Sequence, residues 1–134
     1  MISHVCIGIS DMERAARFYT ATLAPLGWQE RAVQDDGGTA MRCWHIPGRI
    51  APRIYLVTPI DGGAATAGNG SMTALIAPSR EAVNDAYRQG LDHGGTDAGP
   101  PGVRRHYAPD YYGAYLHDPD GNKLHFVHTP NLLA

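Results

Sequence analysis

Asp11-Met12-Glu13-Arg14-Ala15-Ala16-Arg17-Phe18-Tyr19-Thr20-Ala21-Thr22-Leu23 returns as a pattern 68 residues later, in Ser79-Arg80-Glu81-Ala82-Val83-Asn84-Asp85-Ala86-Tyr87-Arg88-Gln89-Gly90-Leu91. Each stretch opens on a capping side chain, Asp11 or Ser79, and carries an acid two residues on, Glu13 or Glu81. Apolar residues then follow at helical spacing, the signature of a capped amphipathic helix. Ala15 stands over Val83, Phe18 over Ala86, Tyr19 over Tyr87 and Leu23 over Leu91. The first stripe (Met12, Ala15, Ala16, Tyr19, Leu23) ends near Pro25 and Gly27; the second (Val83, Ala86, Tyr87, Leu91) ends at Gly94-Gly95.

The flanks repeat as well. A short strand precedes each helix, Ile2 to Ile9 and Ser71 to Ala77, with Val5, Ile7 and Ile9 matching Thr73, Leu75 and Ala77 on one face. Three strand-like runs follow each helix. They are Trp28 to Val33, Thr39 to Ile46 and Arg53 to Val57 in the first half, then Val103 to Tyr107, Tyr112 to His117 and Lys123 to His128 in the second. Asp35-Asp36-Gly37-Gly38 and Asp118-Pro119-Asp120-Gly121-Asn122 read as hairpin turns. The last strands align at an offset of 70, with Arg53-Ile54-Tyr55-Leu56-Val57 over Lys123-Leu124-His125-Phe126-Val127. The expected fold class is therefore α+β, with two βαβββ modules in one domain. Module one spans about 1–60, a linker about 61–70, and module two about 71–134.

Composition narrows the function classes. A chain of 134 residues with 43% hydrophobic and 18% charged residues suits one soluble globular domain. A net charge of −2 leaves no basic footprint for nucleic acid. No apolar stretch approaches the roughly 18 residues of a membrane span, and the N-terminus does not read as a signal peptide. Cys6 and Cys43 both lie in apolar runs and are expected to be buried, reduced thiols, which points to a cytoplasmic protein. No nucleophile elbow, phosphate loop or Cys-x-x-Cys occurs. The Asp118–Asn122 turn superficially suggests calcium but lacks the rest of an EF-hand loop.

Three stretches give the chain its likeness. They are His4-Val5-Cys6-Ile7-Gly8-Ile9-Ser10-Asp11 leading into Arg17-Phe18-Tyr19; Ala77-Pro78-Ser79-Arg80-Glu81-Ala82-Val83; and Tyr111-Tyr112-Gly113-Ala114-Tyr115 followed by Asp118-Pro119-Asp120-Gly121-Asn122. In these the sequence resembles the vicinal oxygen chelate superfamily, the glyoxalase/bleomycin-resistance/extradiol-dioxygenase fold. The resemblance implies paired βαβββ modules forming a curled mixed sheet around a cleft, usually in a homodimer. It also implies a divalent ion (zinc, nickel, iron or manganese) held by His or Gln on each first strand and Glu on each last strand. Such an ion binds two adjacent oxygens of a substrate as a Lewis acid.

The four implied ligand positions fall on His4, Tyr55, Met72 and His125. Alternation sends His4 and His125 toward the cleft, and imidazole is a competent ligand, so these two are the candidate metal ligands and catalytic residues. Tyr55 is a poor ligand, and Met72 suits only a soft ion, so both are expected to line the cleft. Two ligands fall short of the three that catalytic zinc sites use; a third would come from His106, His117 or a partner chain. Arg104 is a candidate anchor for an anionic substrate, with Tyr107 beside it, and Trp44 and Tyr115 are candidates for pocket wall or core. Three functions stay open on these residues. One is a metal-dependent lyase, isomerase or dioxygenase acting on a small molecule between the modules; another is a metal-free, antibiotic-type small-molecule binding protein; the third is a metal-free isomerase or lyase with His4 or His125 as acid or base.

Overall fold

A computed structural model describes residues 1–130, so the expected end of module two at residue 134 lies outside the described residues. The chain runs β1 (His4–Gly8), α1 (Met12–Leu23), β2 (Gln29–Arg31), β3 (Met41–His45), β4 (Arg53–Val57), β5 (Thr73–Ile76), α2 (Arg80–Asp92), β6 (Thr96–Val103), β7 (Tyr112–His117) and β8 (Lys123–His128). These make two four-stranded mixed sheets, ordered β1-β4-β3-β2 and β5-β8-β7-β6, so βαβββ occurs twice. In each sheet the first and last strands of the module pair parallel and the remaining pairs are antiparallel.

The helices form where the caps direct. The Asp11 side chain accepts from the Arg14 N–H at 3.0 Å, and Ser79 accepts from Ala82 N–H at the same distance. A one-turn 3-10 helix over Ala24–Leu26 then carries α1 into Gly27, whose φ of +88° needs the left-handed region. Leu91, expected on the buried stripe of α2, is instead 38% exposed. Gly90 takes the buried place, because a Cβ there would come within 2.6 Å of Leu116 Cδ2.

One expected strand moves. The run at Val103–Tyr107 is a turn, and the strand is Thr96–Val103. Its Pro100-Pro101 pair lacks N–H donors, yet β6 is an edge strand with register breaks at Asp97/Gly99 and Gly99/Gly102. Those are the places where proline is tolerated in a sheet. The following loop is closed by the Arg104 N–H donating to Tyr111 O at 2.7 Å.

α1 and α2 pack on each other, and both sheets turn their apolar faces to them. One core results, including Phe18, Tyr19, Trp44, Ile54, Leu116 and Phe126. Each such side chain contributes on the order of 1.5–3 kcal/mol on burial.

The Asp118–Asn122 turn has a second role, as a clasp between the modules. Asp118, 3% exposed, accepts from the Tyr19 hydroxyl at 2.7 Å and from the N–H groups of Asp120 and Asn122 at 2.9 and 2.8 Å. The Asn122 side-chain amide donates to Gly8 O at 3.0 Å, and Asp120 accepts from the Ser10 N–H at 3.0 Å and from Arg14 at 3.3 Å. Asp118 Oδ2 and Asp120 Oδ1, two of the carboxylate oxygens that would invite calcium, thus serve as acceptors that tie module two to Ser10 and α1. The linker runs along the same seam, where Ala65 lies by Gly8 and Ala67 by Gly121. Among the described residues no helix is long and apolar enough to cross a membrane.

Candidate functional site

The face of the second sheet turned away from the helices holds the larger cleft. Register places Tyr115 opposite His125 and His117 opposite Lys123, so all four side chains share that face. The cleft has a volume of about 730 Å³ and is bounded on one side by linker residues 67–71. Four of the expected binding residues line it: Met72, Arg104, Tyr107 and Tyr115. Its other polar walls are His106, His117 and Lys123, and no side chain of residues 1–60 lines it. This cleft lies on the second module and the linker; between the modules the structure leaves a smaller space of about 130 Å³, lined by Cys6, Ile7 and Gly8 with Thr73, Asn122 and Lys123.

Tyr115 is the centre of this cleft. One face of its ring stacks on His125, with centroids 4.0 Å apart and planes 9° from parallel. The Arg104 guanidinium lies 5.7 Å and the Lys123 ammonium 5.2 Å from the ring centre. Arg104 is held by donating to Pro100 O at 2.6 Å, which leaves further guanidinium donors of the fork for a ligand. Burial, then the neighbouring Tyr107 hydroxyl, push the Tyr115 phenol up to about 12. Tyr115 therefore stays a neutral donor throughout the physiological range.

Behind Tyr115, His125 is 1% exposed and fully engaged. Its Nδ1 lies 2.9 Å from Ala114 O, an acceptor only, so Nδ1 carries the proton. The Tyr111 hydroxyl, 2.7 Å away, then donates to Nε2 of a neutral ring. Burial, the largest cause, and the nearby Arg104 and Lys123 charges lower the imidazole pKa and hold it neutral. The ring leans into space left by Gly113, where a Cβ would meet His125 Cε1 at 2.5 Å. Tyr111 completes the aromatic wall, 5.0 Å from Tyr107, and sequence reasoning did not assign it a role. The available signal was a glycine one register step from a cleft-facing histidine.

The first sheet presents its own face. His4 and Tyr55 meet edge to face at 5.3 Å and line a separate pocket of about 380 Å³ with Ser3 and Arg53. Trp44, weighed as pocket wall or core, is core: it is fully buried and packs on Tyr19. Cys6, expected to be buried, is exposed because alternation turns it with His4 to the open face. Cys43 is buried, and burial pushes its thiol up. Tyr55 lies between the two cysteines in register, which keeps both thiols free.

The expected divalent-metal site at His4 and His125 does not fit these residues. Both His125 nitrogens are spent on hydrogen bonds, and His4 lines a different pocket. Tyr55 and Met72 offer a phenol and a thioether in place of the implied ligands. Among the described residues no three His, Cys, Asp or Glu side chains gather where an ion would sit.

A family model described as "Glyoxalase/Bleomycin resistance protein/Dioxygenase superfamily" matches residues 1–126. A solved glyoxalase/bleomycin resistance protein from Albidiferax ferrireducens T118 is 38% identical, with a TM-score of 0.82 over 97% of this chain and 99% of that one. A glyoxalase-related enzyme from Fulvimarina pelagi, 20% identical, superposes with a TM-score of 0.71 over 97% of this chain and 88% of the other. A glyoxalase/bleomycin resistance protein/dioxygenase family enzyme from Burkholderia phytofirmans PsJN is 19% identical, with a TM-score of 0.69 over 93% and 95%. The last two likenesses concern the fold alone. No curated protein matches the chain.

Proposed function

Because the chain belongs to the glyoxalase/bleomycin resistance protein/dioxygenase superfamily, we propose that it binds a small planar anion in the second-module cleft, without a metal ion. The observation that carries this reading is the pair of cations, Arg104 and Lys123, held within 6 Å of the Tyr115 ring centre. A flat ligand stacks on an aromatic wall, and its carboxylate takes up charge-assisted hydrogen bonds from Arg104. Among the described residues no carboxylate side chain lines this cleft to compete for the two cations. This reading is favoured over a metal-dependent lyase, isomerase or dioxygenase because His125 has no free lone pair for a ligand bond or for proton abstraction.

The test is thermal unfolding in EDTA with a panel of aromatic carboxylates and their uncharged amides. At ten times Kd, a carboxylate stabilises the fold by about 1.4 kcal/mol, or about 5 °C in Tm. The shift should survive EDTA, be absent for the amides, and vanish in Lys123→Gln or Arg104→Gln. A shift abolished by EDTA overturns the metal-free reading, and equal shifts from acids and amides overturn the anion.

The homodimer is part of the same proposal. Met72, just before the outer strand β5, and Ile76, at its end, leave 43% and 45% of their surface open, an apolar edge that a second copy would cover. Light scattering should give twice the 14.4 kDa chain mass; a monomer mass at micromolar concentration would refute it.

A further inference from the structure

We propose that the ligand of the second-module cleft is a planar dicarboxylate, with one acid group on Arg104 and the other on Lys123 and His117. The proposal rests on the anion-binding reading of that cleft and narrows its ligand class. Sheet order is the first argument. β7, which carries Tyr115, lies between β6 and β8. The Arg104 guanidinium lies over β6. A Cβ on Gly102 would meet its Nη1 at 3.0 Å and one on Gly99 its Nη2 at 3.5 Å, and Nη2 donates to Pro100 O at 2.6 Å. Lys123 rises from β8, directly opposite His117 on β7. The two cations are thus rooted on opposite sides of the Tyr115 strand, on strands two spacings or about 10 Å apart. A carboxylate seated on the Arg104 fork leaves Lys123 without a counter-ion, and a second acid group at the far end of the same ligand supplies one.

Charge balance is the second argument. Arg14, Arg42 and Arg88 each pair with an acidic side chain, whereas among the described residues Arg104 and Lys123 form no ion pair. Among the described residues no carboxylate lines the cleft, and His106 and His117 add imidazole groups to the same walls. The chain as a whole carries a net charge of −2, so this positive charge belongs to the cleft and not to the molecule. One acid group leaves one of the two cations unbalanced; two acid groups balance both. The strand β6 is shaped for the first contact. Its register breaks fall at Asp97/Gly99 and Gly99/Gly102, and the two glycines let the guanidinium lie against bare backbone.

The experiment is calorimetric titration of the full chain, in EDTA, with terephthalate, isophthalate, the monoamide of each, and phenyl phosphate, which places both charges on one group. At least one dicarboxylate should bind about tenfold tighter than its own monoamide, the gain expected from one further charge-assisted hydrogen bond. Phenyl phosphate should bind more weakly than that dicarboxylate. Lys123→Gln should raise the dicarboxylate Kd about tenfold, and Lys123→Arg should largely restore it. Amide spectra report whether each variant is folded; if Lys123→Gln is not, the comparison of acid with monoamide on the wild type carries the test. Equal binding of dicarboxylate and monoamide for both rings overturns the proposal and leaves the anion-binding reading in place. So does phenyl phosphate that binds as tightly as the better dicarboxylate, or a folded Lys123→Gln that binds the dicarboxylate as well as the wild type. Binding of none of the five probes overturns both readings, so the two failures are told apart.

Discussion

Asp118→Ala is expected to destabilise the protein by about 3 kcal/mol, read as a lower urea midpoint. The buried carboxylate accepts from the Tyr19 hydroxyl, the Asn122 side-chain amide and two backbone N–H groups, and alanine would leave all four donors without that acceptor. Each stranded buried donor costs on the order of 1–3 kcal/mol, partly recovered where water reaches the turn. Tyr19→Phe removes a donor and strands none of the backbone groups, so its cost should be nearer 1 kcal/mol. A loss under 1 kcal/mol in Asp118→Ala would mean the clasp does not hold the modules. The same contact sets an alkaline limit. Burial, then the Asp118 charge, raise the Tyr19 pKa well above 10, so the folded state keeps a proton that the unfolded chain releases above about pH 10. This contribution is fully present below that pH and is lost at about 1.4 kcal/mol per pH unit above it. Tyr19→Phe should remove that part of the slope.

Gly113→Ala is expected to cost about 2–4 kcal/mol and to abolish ligand-induced stabilisation in the second-module cleft. The added methyl would stand 2.5 Å from His125 Cε1 and 3.1 Å from Phe126 O, so the ring must leave its place. Moving it breaks the bonds to Tyr111 and Ala114 and removes the surface on which Tyr115 stacks. The control is the same substitution in a His125→Ala background. With the imidazole gone the methyl has room, so the second change should cost much less than the first, a coupling of at least 1 kcal/mol. Strict additivity would show that the clash is relieved elsewhere and that Gly113 does not position His125.

The features legible in the sequence were those that depend on one strand or one helix. Asp11 and Ser79 announced their caps, and alternation put Val5, Ile7 and Ile9 on one face of the first strand, where Ile7 and Ile9 are buried in the core. β6 was placed too late because Pro100-Pro101 reads as a break unless the strand is known to lie at an edge. Arg104, Tyr107, Met72 and Tyr115, expected from the sequence and the resemblance, share one cleft lining. The metal pair was not legible in the same way. Alternation tells which face His4 and His125 occupy on their own strands, but it carries no information on how the two sheets sit about their shared core. Nor does it reveal that Tyr111, fourteen positions away, takes the free lone pair of His125.

The clasp also bears on the order in which the molecule assembles. Ser10 and Asp120 are 110 positions apart and Tyr19 and Asp118 are 99, so these bonds close a loop nearly as long as the chain. The entropy of such closure rises with the logarithm of loop length and must be met before the contact returns anything. A contact of this span is therefore made late, after the turn and both neighbouring strands exist. Substitutions in the turn should then act mainly on how fast the finished molecule opens, leaving the rate at which it first folds nearly untouched.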